Sequence, residues 1–131
     1  MGEMDAPYVE LHAHSAFSFL DGASTPMELA AAAAERGYPA FALTDHDGIW
    51  GSMEFARACK GFGVWPVVGA ELTVRPAAGP DLAHLTLLVE DATGYRNLCQ
   101  LLTVAQGCPA ERSLPSRVWE WATVSSWQRL R

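Results

Sequence analysis

Residues 25–48 read TPMELAAAAAERGYPAFALTDHDG, and the fold class turns on this stretch. Thr25 offers a hydroxyl as helix N-cap. Pro26 suits the first helical position, where its missing N–H would have had no partner. Glu28 stands three residues after the cap, where its carboxylate reaches back to close a capping box. The alanine-rich run that follows favours helix to about Arg36, and Gly37 supplies the residue that ends it. Residues 40–44, AFALT, form the short continuous apolar run of a buried parallel strand. That strand leads into a polar loop, Asp45-His46-Asp47-Gly48.

On the N-terminal side, residues 8–14 (YVELHAH) alternate as a strand. Glu10, His12 and His14 share one face, and Val9, Leu11 and Ala13 take the other. Residues 18–24, with Asp21-Gly22 inside, read as a loop. On the C-terminal side a second helix fits 52–60, with Phe55, Ala56 and Cys59 on one face and Gly61 and Gly63 closing it. A third strand is expected at 67–74, interrupted at Gly69, then a turn-rich link over 75–82. A fourth strand fits 84–90 and a last helix 93–105. Strand, helix, strand, helix, strand is the pattern of βαβ units and a mostly parallel α/β sheet. The third-to-fourth strand link has no helix, so an antiparallel neighbour fits there. No internal repeat occurs.

From Gly107 onward the character changes. Four of the nine basic residues and three of the five tryptophans lie in 112–131, with no regular period. The expected partition is a packed unit at 1–106 and an atypical tail at 107–131, which either docks loosely on that unit or is not its natural continuation, as a frameshift or an early stop would produce.

The chain has 131 residues, half of them hydrophobic and 18% charged, so a packed core is expected. A net charge of −6 argues against a stand-alone nucleic-acid binder, whose footprint would be a basic face. Three cysteines, Cys59, Cys99 and Cys108, show no C-x-x-C spacing, and their odd number fits a reducing cytoplasm better than a disulfide framework. Residues 1–7 lack the layout of a signal peptide, and no apolar run approaches the ~20 residues that span a bilayer.

The chemistry centres on His12-x-His14. Two residues apart on a strand, both imidazoles project from one face and can grip one metal ion. Such pairs are common, and one alone fits a polar strand edge better than a metal site. The other candidates sharpen it: Asp21 in the loop after the first strand, His46 just past the second, Glu71 near the end of the third. Strand ends on one side of a βα architecture converge on one crevice. Three histidines and two carboxylates meeting there make a mixed nitrogen–oxygen site suited to Zn²⁺ or Mn²⁺, with the chemistry of phosphoester hydrolysis. Asp45 and Asp47 flank His46 and either orient it or serve as loop acids and helix caps. Cys59, Cys99, Trp50 and Phe55 read as packing residues. Gly22, Gly48 and Gly69 read as sharp turns beside the site, since no phosphate-cradling glycine motif occurs.

Leu11-His12-Ala13-His14-Ser15, Leu20-Asp21-Gly22, Leu43-Thr44-Asp45-His46 and Gly69-Ala70-Glu71 resemble, in order, the early motifs of the PHP (polymerase and histidinol phosphatase) family. Residues 17–24, 44–51 and 84–99 further resemble bacterial DNA polymerase III alpha-type proteins, the error-prone branch most closely, over 8–106. The resemblance implies the N-terminal part of a distorted (β/α)₇ barrel, incomplete here, whose full family site holds up to three divalent metal ions. It implies His12, His14 and Glu71 as ligands of one ion, Glu71 shared with a second, and Asp21 and His46 as ligands of a third. Further family ligands, among them a third-motif histidine, find no expected counterpart; His84 is read as structural. The implied role is in DNA replication, repair and translesion synthesis, with metal-dependent phosphoesterase or 3′–5′ exonuclease chemistry in the parent protein and an inactive fragment here. DNA, a sliding clamp and mutagenesis accessory proteins are the implied partners. The alternatives are a small stand-alone PHP phosphoesterase and a non-catalytic interaction domain.

A complete barrel of this type takes about 250 residues. The missing strands would leave an open sheet edge and exposed apolar surface. Expressed alone, the chain is expected to associate and to melt without a sharp transition; a monodisperse, cooperatively melting monomer in sedimentation and calorimetry would contradict this.

Overall fold

The capping signals at residues 25–28 act as their chemistry dictates. In the computed structural model, which describes residues 7–74 and 82–107, helix α1 spans Pro26–Glu35. The Thr25 hydroxyl accepts from the Glu28 N–H at 3.3 Å, and the Glu28 carboxylate accepts from the Thr25 N–H at 2.7 Å. Arg36 caps the other end, followed by Gly37 at φ 69°. Strand β1 (Ala40–Leu43) follows, then helix α2 (Ser52–Phe62), strand β2 (Trp65–Val74), strand β3 (Ala83–Leu88) and helix α3 (Ala92–Gly107). Helix α2 runs through Gly61 and ends at Gly63, whose N–H donates to the Cys59 carbonyl. The expected link over 75–81, the tail over 108–131 and Cys108 lie outside the described residues.

The sheet has the order β1-β2-β3. Parallel pairing runs from Ala40↔Trp65 to Leu43↔Val68, the register of a β1–α2–β2 crossover unit. Antiparallel pairing runs from Gly69↔Leu88 to Val74↔Ala83. The α/β class is therefore as the sequence pattern requires, and the helix-free link delivers the antiparallel neighbour.

Residues 8–14 depart from expectation. They lie parallel to β1, with the Ala42 N–H donating to the Glu10 carbonyl and the Thr44 N–H to the Ala13 carbonyl, both at 2.8 Å. Only an isolated Glu10↔Phe41 bridge forms, not a strand. Side chains claim the backbone groups instead: the Glu10 carboxylate accepts the His12 N–H, and Thr44 Oγ1 accepts the Ala13 N–H.

Two apolar clusters hold the layers. Ala30 and Ala33 of α1, Phe41 and Leu43 of β1, and Phe55 and Cys59 of α2 form one with Val64. Burial pushes the Cys59 thiol up to about 11. Ala70, Leu72 and Val74 of β2 form the second with Leu98 and Leu102 of α3. Alternation along β2 therefore turns Glu71 away from the α3 side. Among the described residues no helix is long and apolar enough to cross a membrane.

Gly69 does not interrupt β2; it permits a close approach. A Cβ there would lie 2.5 Å from the Leu87 carbonyl oxygen and 2.9 Å from Thr44 Cγ2. Gly69→Ala should destabilise the chain by about 1–3 kcal/mol through this overpacking. Urea titration followed by circular dichroism measures it, and an unchanged midpoint would show that the ladder can open there without cost.

Candidate metal centre

Four imidazoles and two carboxylates meet at the C-terminal ends of β1 and of the extended segment before it. Glu71 is the hub. It is 5% exposed, and one of its oxygens, Oε2, contacts Nε2 of both His12 and His14, the latter at 2.9 Å. The two-residue spacing that puts both rings on one side of an extended chain makes this pairing possible. The other oxygen, Oε1, lies 3.0 Å from His84 Nδ1 and 3.7 Å from His46 Nδ1. Asp21 closes the circuit: its Oδ2 is 2.7 Å from His14 Nδ1 and 2.7 Å from His46 Nε2. The His14 and His46 rings lie with centroids 4.3 Å apart.

The backbone explains the convergence. Past β1 the chain stays alongside β2: Glu71 N–H donates to the Asp45 carbonyl at 2.9 Å, and Asp47 N–H to the Glu71 carbonyl at 2.8 Å. These bonds form the His46↔Glu71 bridge. Asp47 takes φ 51° to turn out of it, and its carboxylate accepts from the N–H and hydroxyl of Thr73. Asp21 arrives on a tight loop that depends on Gly22, where a Cβ would sit 1.9 Å from the Ser15 carbonyl oxygen.

All five residues singled out from the sequence, His12, His14, Asp21, His46 and Glu71, come together. His84, set aside above as structural, is the sixth member. The Thr73↔His84 and Glu71↔Thr86 pairs place Glu71 and His84 on the same sheet face as diagonal neighbours, within reach of each other. An antiparallel partner was foreseen but its register was not, so nothing in the linear spacing aligned His84 with Glu71. Neither aspartate beside His46 orients its ring: Asp47 is spent on Thr73 and Asp45 on two serines. Phe55 is core, as expected, whereas Trp50 is 64% exposed, with its indole lying in the space a Gly48 Cβ would need.

Electrostatically the cluster keeps its carboxylates charged. Burial pushes the Glu71 carboxyl up, but hydrogen bonds from His12 and His14 and the nearby imidazole charge outweigh it, leaving it below the usual glutamate value. Hydrogen bonds from His46 and His14 likewise hold the Asp21 carboxyl below the usual aspartate value. The donor atoms fall into three overlapping groups, His12–His14–Glu71, His14–Asp21–His46 and His46–Glu71–His84, each within 4.8 Å. Ligands about 2.1 Å from a shared tetrahedral ion lie roughly 3.4 Å from one another, so these separations and this nitrogen–oxygen donor set fit divalent metal ions.

The family model described as the PHP domain matches residues 10–127. Error-prone DNA polymerase of Mycolicibacterium paratuberculosis is 47% identical over 114 residues, 83% of this chain and 10% of that protein. The protein of the same name from Symbiobacterium thermophilum is 44% identical over 115 residues, 88% of this chain and 10% of that protein. The chain thus spans about a tenth of the length of these relatives. Among solved structures, an amidohydrolase from Chromobacterium violaceum, with bound sulfate and no metal, superposes with a TM-score of 0.61 at 35% identity, covering 76% of this chain and 34% of that one. A protein described as a metal-dependent phosphoesterase from Bifidobacterium adolescentis superposes with a TM-score of 0.62 at 25% identity, covering 79% of this chain and 35% of that one.

Because Glu71 and Asp21 are depressed in the folded state, the stability they contribute is present above the ordinary carboxylate range and is lost as pH falls through their lower folded values. In metal-free buffer, the chain should lose stability from about pH 5 downward. Glu71→Gln should flatten part of that acid limb in urea titrations. A limb unchanged in the variant would mean that Glu71 is not held by the imidazoles in solution.

Proposed function

The chain belongs to the PHP domain family, and on that footing we propose that it is the metal-binding PHP portion of a bacterial error-prone DNA polymerase, acting in DNA replication and translesion synthesis. The observation that carries this reading is the convergence of six side chains able to ligate a metal in one cluster, from buried Glu71 to exposed His12 and His84. In this reading residues 1–106 form the packed unit of an incomplete (β/α)₇ barrel.

A neutral imidazole gives a metal only one of its two nitrogens, so His12, His14 and Glu71 would hold one ion, Asp21 and His46 a second, and Glu71 with His84 would offer donors to a third. Zn²⁺ and Mn²⁺ suit this mixture of imidazole and carboxylate. Divalent ions bound there would supply Lewis acidity toward a phosphoryl oxygen and acidify a water molecule, the chemistry of phosphoester hydrolysis. The chain's own residues set the frame. Buried Glu71 offers one oxygen to each side of the cluster. Half-buried His14 and His46 would each give one ring nitrogen to an ion and form its floor. Exposed His12 and His84 stand at the rim, where a phosphate would enter. DNA is the macromolecular substrate in this reading, a sliding clamp and mutagenesis accessory proteins are partners of the whole polymerase, and the cytoplasm is its compartment.

A second reading, a small-molecule phosphoesterase, draws on the likeness to the Bifidobacterium protein. Binding of Mn²⁺ and Zn²⁺, followed by calorimetry and elemental analysis, tests the metal centre common to both. His14→Ala removes a donor from two of the three groups and should weaken binding by at least about 100-fold. Equal binding by wild type and variant would sink the proposal. Metal-dependent shortening of a primer strand favours the polymerase role, and turnover confined to a nitrophenyl phosphate ester favours the second reading.

A further inference from the structure

Asp45 is 1% exposed, and a buried carboxylate is costly unless donors surround it. It accepts three hydrogen bonds, from the Ser15 N–H at 2.6 Å, the Ser15 hydroxyl at 2.8 Å and the Ser18 hydroxyl at 2.8 Å. None of these goes to a member of the metal centre, yet each of its neighbours is one step from a member. Ser15 directly follows His14. The Ser18 hydroxyl accepts the His46 N–H at 3.0 Å. The Ser18 carbonyl accepts the N–H groups of Asp21 at 3.0 Å and Gly22 at 2.9 Å. The Asp45 carbonyl accepts the Glu71 N–H.

The base of the loop that carries Asp21 is closed by the Ala16 N–H on the Ser24 carbonyl at 2.7 Å and by Gly22 against the Ser15 carbonyl, but its tip gains little apolar burial. Phe19 and Leu20 project into solvent, at 85% and 108% exposure, so their side chains contribute almost no burial. Leu20 also takes φ 69°, a left-handed conformation that strains a residue with a Cβ. A loop that is both strained and poorly packed needs polar anchors, and the Asp45–Ser15–Ser18 group supplies them.

We propose that Asp45 is the positioning residue of the metal centre: through Ser15 and Ser18 it clamps residues 15–22 against the end of β1 and thereby sets Asp21 at ligand distance from His14 and His46. This rests on the metal-binding reading above. Asp45 contributes no ligand atom. It acts on affinity by keeping the donors in place before an ion arrives, so that binding does not have to order the loop.

The test is a double-mutant cycle on the full chain, with Mn²⁺ binding read by calorimetry and the unfolding midpoint read in chelator. Ser18→Ala removes one donor from Asp45 and the acceptor for the His46 N–H, and Asp45→Asn exchanges the charge for an amide. Each should weaken Mn²⁺ binding by about 10–100-fold. In an Asp21→Ala background the same Ser18→Ala change should alter binding by no more than about twofold, because the ligand it positions is gone. Equal losses in both backgrounds would make the clamp a general fold element and overturn the proposal, as would wild-type affinity in the single variants. If Asp45→Asn does not fold, Ser18→Ala decides, with Ser15→Ala as its counterpart on the other serine. A wild-type chain that binds no Mn²⁺ would remove the metal reading and this proposal together, an outcome distinct from intact binding that the variants leave unchanged.

Discussion

A single carboxylate, buried on the middle strand of the sheet, organises everything around it. Glu71 has lost most of its water, and an ionised group in that position is tolerated only when donors or cations replace the solvent. Four imidazoles from three different stretches of chain surround its two oxygens. The parallel β1–β2 pairing and the His46↔Glu71 bridge set its height relative to the loop after β1. The antiparallel β2–β3 pairing brings in His84 from the opposite side. A different register in either pair would take partners away from the buried charge.

The apolar clusters give the centre a rigid base. One joins α1 and α2 to β1, and the other joins α3 to β2 and β3, so the two clusters draw on different helices. Alternation along β2 then separates the tasks: Ala70, Leu72 and Val74 pack toward α3, while Glu71 and Thr73 are free for polar work. Thr73 uses that freedom to bind Asp47, which stitches the loop after β1 to the same strand that carries the hub. Glu71 sits deepest, His14 and His46 are half-buried, and His12, Asp21 and His84 are exposed.

Much of this is written locally. The helix start at Thr25, Pro26 and Glu28 depends on hydrogen bonds within four residues, and the ends at Gly37 and Gly63 depend on one backbone angle each. Such features survive translation from sequence to structure because their energetics involve near neighbours only. The extended run at residues 8–14 was legible as extended, and the pairing of His12 with His14 followed from it. Its failure to become a regular strand was not legible, because Thr44, thirty residues away, takes the Ala13 N–H. Gly69 was misread for the same reason: what matters there is the Leu87 carbonyl across the ladder.

The sequence by itself determined the α/β class, where the helices start, the family resemblance and five of the six members of the centre, since each follows from residue type, short-range period or motif order. Only the tertiary structure decided that His84 joins them, that Asp45 serves the loop and not His46, and that Trp50 lies open to solvent against Gly48. Those outcomes depend on strand register and on which distant backbone groups compete for a donor. Register is a property of two segments at once, and no reading of either segment alone contains it.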